Sequence, residues 1–289
     1  MKRLLGLLFM VVGIFLIIGM FFKDRGFADF GFTRGEAVTT ASAKTADIQR
    51  LDVSLSGFHV TVEPEKRKDI AVSVENGKGK MYAEQTGSTF RVRAENKRFL
   101  FFSGVEKGEL LIKVPVDYHQ NVTITGDSGK IYVDGRGELT LNDVVLKSTS
   151  GKLIAENLSA KNAEIKATSG KLEVSHIDAE DSEISVTSGN VDIADVKGSL
   201  KMGMTSGRLR ASFDTITAPI SFHMTSGSAK IDLPDQGDFK VKTKVTSGKI
   251  DHSYNFDQVD GGNRNFTGII GKGTHLFDIE MTSGKLRLR

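Results

Sequence analysis

The phrase Thr-Ser-Gly recurs at a nearly constant interval through the second half of this chain. The interval between successive glycines is 22, 19, 19, 18, 20, 21 and 36 residues, counting one variant copy, Asp-Ser-Gly, as the first. Repeats of this length are typical of architectures in which each unit buries its apolar face only against its neighbours. The phrase therefore predicts a stack of similar units. Its glycines, called the glycine column below, are Gly129, Gly151, Gly170, Gly189, Gly207, Gly227, Gly248 and Gly284.

Apolar and polar residues alternate on both sides of each glycine, but the alternation slips by one residue at the glycine itself. Ile165 and Ala167 precede Gly170 by odd offsets, whereas Leu172 follows it by an even one. A one-residue slip in a period-two pattern indicates a bulge or a corner, where glycine adopts a backbone conformation closed to other residues. Each phrase is therefore predicted to be a corner between two strands.

A further apolar position lies seven residues after the glycine, at Leu158, Ile177 and Val196. It indicates a second corner or a strand on the return path of each unit. We therefore predict an all-β fold, namely a β-solenoid resembling a parallel β-helix. Each coil would contain about 20 residues and lie about 4.8 Å from the next.

The same alternation extends upstream of the repeats and defines the expected regions of the folded part. Residues 46–125 are predicted to be a β-rich opening section, and residues 126–289 the repeat solenoid. The last interval is nearly twice the usual one, which predicts an insertion at about residues 254–273. This insertion is either a loop on one face or a cover. The chain stops soon after its last corner, so the last coil is expected to lack a helical cap.

The N-terminal region predicts a membrane anchor. Residues 4–22 contain no charged side chain, and as a helix rising about 1.5 Å per residue they would span a bilayer. A cleaved signal peptide would have a shorter apolar core and a small-residue cleavage site directly after it, but Phe21-Phe22-Lys23-Asp24-Arg25 follows instead. Residues 1–3 would form a cytoplasmic tip and residues 23–45 a tether. The C-terminal domain would then lie outside the cytoplasm, held at the cell membrane by a single span.

Composition narrows the functional classes. The chain has no cysteine, which excludes disulfides, thiolate metal sites and thiol nucleophiles. Its net charge of +3 resides in residues 1–25, so the remainder is neutral overall and no nucleic-acid partner is expected. The six histidines occupy different positions relative to the repeat glycines, and stacking would not gather them. No catalytic residue, metal site or cofactor is predicted.

The position directly after the glycine is basic in six of the eight copies. Stacking would align these side chains along one face of the fold. Two interpretations stay open. The row either holds an anionic envelope polymer or the anionic membrane surface, or it merely keeps the corner soluble and discourages strand pairing while nearby acids neutralise it. These residues, called the basic stripe below, are Lys130, Lys152, Lys171, Arg208, Lys249 and Lys285.

Three features together resemble a known bacterial family. They are Leu111-Ile112-Lys113-Val114-Pro115, the serial Thr-Ser-Gly phrases, and the closing Phe-Asp-Ile-Glu-Met-Thr-Ser-Gly at residues 277–284. Over about residues 46–289 the chain resembles the LiaG-like proteins of an adhesin-like family of unknown function. The resemblance implies an N-terminal membrane anchor and a cell-envelope role associated with the envelope-stress response of Gram-positive bacteria. It brings no catalytic residues.

The expected function is that of a membrane-anchored, extracytoplasmic, non-enzymatic binding or structural module of the cell envelope. Its partner would be an anionic envelope polymer or another envelope protein. Two alternatives stay open. A self-assembling scaffold would need exposed strand edges at an end of the stack. A polysaccharide-active enzyme would need carboxylates converging from neighbouring coils, for which Glu173 and Asp192 are the adjacent pair.

Overall fold

Alternating burial along the strands is the local rule of the fold. In the computed structural model, which describes residues 36–96 and 107–289, every second side chain of the strand Phe58–Glu65 is buried. A 3-10 turn at Thr45–Asp47 separates the first two strands. The strands of the opening section and of the first repeat are β1 (Thr40–Lys44), β2 (Arg50–Ser56), β3 (Phe58–Glu65), β4 (Asp69–Val74), β5 (Lys80–Thr86), β6 (Thr89–Glu95), β7 (Gly108–Pro115), β8 (Asn121–Gly126) and β9 (Lys130–Asp134).

Four strands of the later repeats are long because each runs through a corner without interruption. The 42-residue strand that begins at Lys171 contains two Thr-Ser-Gly phrases. The all-β prediction is confirmed. The strands from residue 140 onward are β10 (Thr140–Ser148), β11 (Lys152–Ala167), β12 (Lys171–Ser212), β13 (Ile220–Asp232), β14 (Phe239–His252), β15 (Gln258–Gly261), β16 (Asn265–Ile270) and β17 (His275–Leu288). The four long strands that contain a Thr-Ser-Gly phrase are β12, β13, β14 and β17.

The glycine column forms the predicted corners. Each of its members has a φ between 113° and 144°, a region that favours glycine because a Cβ atom would collide with the backbone. The side chains five and three residues before the glycine are buried, as are those two residues after it. Around Gly170 these are Ile165, Ala167 and Leu172. The predicted slip of the side-chain phase is confirmed.

A second corner lies six residues after the glycine. Asn157, His176 and Asp195 stand there with φ values of 55°, 52° and 49°, in the left-handed region that Asn, Asp and His tolerate better than most residues. The next residue in each coil is buried, as predicted, and Leu158 pairs in register with Ile177. Each of these coils therefore turns at both a glycine corner and a left-handed corner.

Neighbouring coils pair in parallel, and like positions lie side by side. Lys152 is in register with both Lys130 and Lys171, and Gly248 is in register with Gly284. Parallel pairing with like positions adjacent is the arrangement that a β-solenoid requires. The opening section continues it, because β8 and β9 pair with the first repeat strands and also with β2 and β3.

The order of the coils in the stack departs from the order in the chain at both ends. The coil of β2 and β3 lies between that of β6 and β7 and that of β8 and β9. At the other end, β17 lies between β13 and β14. The last coil of the chain is therefore an inner coil of the stack rather than a terminal one. The long segment before β17 provides enough chain to return past β14 and pair on its inner side.

Antiparallel strands cover both ends of the stack. At one end β5 pairs with β6, β4 pairs with β7, and β1 pairs with β4. At the other end β16 pairs with residues 239–244 of β14, and β15 pairs with β16. The insertion at about 254–273 is therefore a cover rather than a loop. Its outer strand, β15, has 4 residues, and short edge strands resist pairing with other chains.

The predicted N-terminal regions fall largely beyond the described residues. The tip at 1–3 and the anchor at 4–22 lie outside them, as does most of the tether at 23–45. The end of that tether belongs to the folded body instead, because β1 pairs with β4 and buries Ala43. Within residues 36–96 and 107–289, no helix has the length and apolar character needed to cross a membrane.

His59 joins the first coil to the glycine column. Its Nδ1 atom accepts a hydrogen bond of 2.8 Å from the backbone N–H of Lys130. Burial, and then the nearby Lys107, lower the pKa of His59 below its ordinary value. Because Nδ1 must be unprotonated to accept this bond, the folded state favours the neutral imidazole.

Mild acid is therefore expected to weaken the fold through His59. The stability contributed by the neutral ring is complete above about pH 6.5 and is lost as the pH falls through the lowered pKa. The effect should be about 1 kcal/mol, the usual contribution of one hydrogen bond. The variant His59→Asn keeps an acceptor near the Nδ1 position but does not titrate. Thermal melting of both proteins between about pH 7.5 and about pH 5 tests this, and equal falls in the melting midpoint would contradict it.

Candidate functional site

The basic stripe lies along one line beside the glycine column. The stack order differs from the chain order, since Ser228 is in register with Arg208 on one side and with Lys285 on the other, and Lys249 follows Lys285. The next position inward is buried in every coil, for example at Leu209. Alternation along each strand therefore turns the stripe outward.

A second outward column, three residues after the glycine, determines how much of that charge is free. It is acidic in some coils, as at Glu173, Asp192 and Asp251, and basic in others, as at Arg210 and Lys230. The two columns lie on the same face, so their side chains meet within a coil and between coils. The stripe is consequently divided into parts of different net charge.

In the coils around Gly170 the second column neutralises the stripe. The Nζ atom of Lys152 lies 2.7 Å from Glu173, and Lys171 contacts the same carboxylate. Burial alone would raise the pKa of Glu173, but hydrogen bonds from Lys152 and Lys171 outweigh burial and lower it. Lys171 also lies 3.7 Å from Asp192. The two carboxylates on which an enzyme would depend are thus bridged by a lysine.

At the far end of the stripe a single carboxylate offsets part of the charge of two lysines. The Nζ atoms of Lys285 and Lys249 lie 2.8 Å and 3.1 Å from the carboxylate of Asp251. Hydrogen bonds from Lys285 and then Lys249 lower the pKa of Asp251. Within residues 36–96 and 107–289, no three histidine or acidic side chains are grouped so that they could hold a metal ion.

Between these two regions the outward face is basic in both columns. A cleft of about 340 Å³ opens there over the coils of Gly207, Gly227 and Gly284. Only Arg208 and Lys285 of its charged residues belong to the basic stripe. The sequence pattern had indicated only mixed charge at the other three. The residues that line this surface, called the cationic cleft below, are Arg208, Leu209, Arg210, Ser228, Ala229, Lys230, Lys285 and Arg287.

Two serines of the repeated phrase form hydrogen bonds between neighbouring coils. The Oγ atom of Ser150 donates a 3.0 Å hydrogen bond to the carbonyl of Asp127 in the preceding coil. Ser169 donates a longer one, of 3.4 Å, to the carbonyl of Thr149. These contacts join one corner to the next, as expected for a row of hydroxyl groups on stacked corners.

Comparison with known proteins extends these observations. The model of the family Toastrack DUF4097 matches residues 48–289. The structure of a protein described as a candidate adhesin from Bacteroides fragilis aligns with a TM-score of 0.51 and 10% identity, over 90% of this chain and 100% of that one. For another so described, from Parabacteroides distasonis, the values are 0.46, 12%, 89% and 98%. Likeness at such identities concerns the fold alone. No curated protein matches the chain.

Proposed function

The chain belongs to the Toastrack DUF4097 family, and on that premise we propose that it is a non-enzymatic, adhesin-like binding module of the bacterial cell envelope. Residues 4–22 would hold it at the cell membrane, with the C-terminal domain outside the cytoplasm. The resemblance to LiaG-like proteins supports this location and a connection with the envelope-stress response. One solved structure with a comparable fold is described as a candidate adhesin, which is consistent with a binding role.

One observation carries the proposal: cationic side chains repeat in fixed register along a single outward face. The parallel ladder sets them at the spacing of adjacent strands, about 4.8 Å. The folded part is neutral overall, so the positive field is local to the part of that face where acids do not offset the cations. A row of fixed cations suits a long partner with repeated negative charges, because each additional contact forms at high effective concentration. We infer that the partner is an anionic envelope polymer.

The same features weigh against the two alternatives. A self-assembling scaffold needs free strand edges, whereas antiparallel strands cover β6, part of β7 and residues 239–244 of β14 at the two ends of the stack. A polysaccharide-active enzyme needs free carboxylates, whereas Glu173 and Asp192 both contact Lys171. A polymer-binding face requires neither feature.

A binding assay with the full chain in a non-ionic detergent tests the proposal. We expect the chain to bind poly(glycerol phosphate), a teichoic acid backbone, and not to bind the neutral polymer dextran. Binding should weaken as salt is added, because exposed charges more than about 10 Å apart are screened at 0.1 M ionic strength. Failure to bind poly(glycerol phosphate), or equal binding to dextran, would contradict the proposed function.

A further inference from the structure

The cationic cleft occupies six outward positions on three adjacent coils. Arg208, Ser228 and Lys285 are neighbours in one column. Arg210, Lys230 and Arg287 are neighbours in the other column. The single short side chain among the six is Ser228, in the middle coil, and the adjacent Ala229 is also small. The cleft therefore has a low floor at Ser228 and walls made of long cationic side chains.

The charge of this cleft is not balanced by its surroundings. Arg208 and Arg287 form no ion pair with any acid in residues 36–96 and 107–289. The other three cations each have one acidic neighbour at the margin of the cleft. The distances are 3.4 Å for Arg210 to Asp192, 2.8 Å for Lys230 to Asp232, and 2.8 Å for Lys285 to Asp251. The two arginines consequently leave a positive charge available to a ligand.

The unusual coil order creates this concentration of charge. Had the coils stacked in chain order, Asp251 of β14 would lie beside Lys230 and would also separate it from Arg287. Because β17 lies between β13 and β14, Arg287 is in register with Lys230 instead. Asp251 then lies on the far side of Arg287, in register with it. The cleft is thus a product of the same rearrangement that buries the last strand.

The donors in the cleft fit a phosphate group. Arginine presents a planar fork of N–H donors that matches the oxygens of a phosphate in pairs, and ammonium groups add charge without fixed geometry. The Ser228 hydroxyl adds a donor at the floor. Arg208 and Arg287 lie two coils apart and in different columns, at diagonally opposite corners of the six positions, about 12 Å apart by strand spacing and rise per residue. The cleft of about 340 Å³ between them is large enough for a phosphate group.

From this geometry we propose that the cationic cleft is the ligand-binding site and that it binds a phosphodiester group. The inference rests on the proposed function and deepens it, by naming the chemistry of the partner and the three coils that bind it. A phosphodiester occurs both in a glycerol-phosphate polymer and in the headgroup of phosphatidylglycerol. These two sources share the chemistry of the site and are separated by the test.

Charge removal at two places distinguishes a cleft from a uniform row of cations. The full chain with Arg208→Ser and Arg287→Ser is compared with a matched control, Lys152→Ser and Lys171→Ser, which removes the same formal charge from the same face. Affinity for poly(glycerol phosphate) should fall about tenfold or more in the first variant, as expected when charged hydrogen bonds are lost. The control should lose less than about threefold.

The outcomes separate the two levels of the proposal. Equal losses in both variants would overturn the cleft and leave the proposed function standing, because the whole stripe would then attract the polymer. Absence of binding by the unmodified chain would overturn the proposed function itself. Circular dichroism should be the same for all variants, since the substitutions lie on the outward face.

A substitution that fills the cleft without changing its charge provides a second test. The position of Ser228 carries a long basic side chain in six of the eight repeat coils, so Ser228→Gln is compatible with the corner. The glutamine side chain would occupy the floor and should weaken polymer binding about fivefold or more, the loss of roughly one good contact. Unchanged affinity would overturn the assignment of the cationic cleft as the binding site.

Lysine footprinting identifies the source of the phosphodiester. The full chain is placed in phosphatidylcholine vesicles and labelled with a water-soluble amine reagent, and labelling of Lys230 and Lys285 is read by mass spectrometry. Protection on adding poly(glycerol phosphate) assigns the polymer as the ligand. Protection without polymer, in vesicles that contain phosphatidylglycerol, assigns the lipid headgroup. Protection in neither case would overturn the proposal.

Discussion

Removing residues 275–289 is expected to release β14 and its cover from the stack, although only the last coil of the chain is deleted. β17 buries five apolar side chains, namely Phe277, Ile279, Met281, Leu286 and Leu288, each at most 2% exposed. At about 2 kcal/mol for each such side chain, their burial contributes on the order of 10 kcal/mol. Phe277 also packs edge to face against Phe222, with ring centroids 5.0 Å apart.

Amide hydrogen exchange measures this effect residue by residue. In the truncated chain, the amides of β14 and β16 should lose their protection from exchange, because β17, the strand that joins β14 to β13, is absent. The coils from β2 to β9 lie far along the stack and should stay protected, since each coil of a repeat protein contacts only its neighbours. Retained protection in β14 would mean that β14 can pair directly with β13, contrary to this prediction.

The second large effect is expected from Gly170→Ala. A Cβ atom at this position would lie 2.1 Å from the carbonyl oxygen of Gly151 in the preceding coil, and φ is 115°. Backbone strain of about 1–3 kcal/mol and steric crowding of about 1–3 kcal/mol should together lower the free energy of unfolding by about 2–6 kcal/mol. The crowding involves backbone on both sides, so a rotamer change cannot relieve it.

Two other glycines separate the contributions. Gly87 has a φ of 57° and open space around its Cβ position, so Gly87→Ala should show strain alone, about 1 kcal/mol. Gly203 lies inside a strand with nothing within 4 Å of its Cβ position and no positive φ, so Gly203→Ala should be nearly neutral. Urea denaturation of the three variants is the measurement. If Gly170→Ala were no worse than Gly87→Ala, close approach of the corners would not be what requires glycine.

The corners could be predicted from sequence because they depend on local rules. The slip at each glycine follows from period-two alternation, which any strand obeys wherever it lies. The second corner was visible only as a buried position at Leu158, Ile177 and Val196. The residues that turn the chain there, Asn157, His176 and Asp195, share a tolerance for the left-handed region, and aligning them would have located the turn.

The coil order and the cationic cleft could not be predicted in the same way. Strand pairing is non-local, and β17 has an alternation that fits any neighbour equally well. The long interval before Gly284 indicated extra chain but not where that chain goes. Arg287 lies beside Lys230 only because of this pairing. If the coils are assumed to stack in chain order, Asp251 lies between these two residues and no cationic cleft is predicted.

The placement of the first and last described coils determines how a fold of this kind can change in length. Both the first and the last coil are enclosed, each between a middle coil and a terminal coil that itself bears a cover. Inserting a duplicated repeat at either end would disrupt the strand pairing between the enclosed coil and its two neighbours. Between residues 151 and 227 one coil simply follows another in chain order, so a coil can be gained or lost there with both ends intact. Relatives of different length should therefore differ in the number of these middle coils.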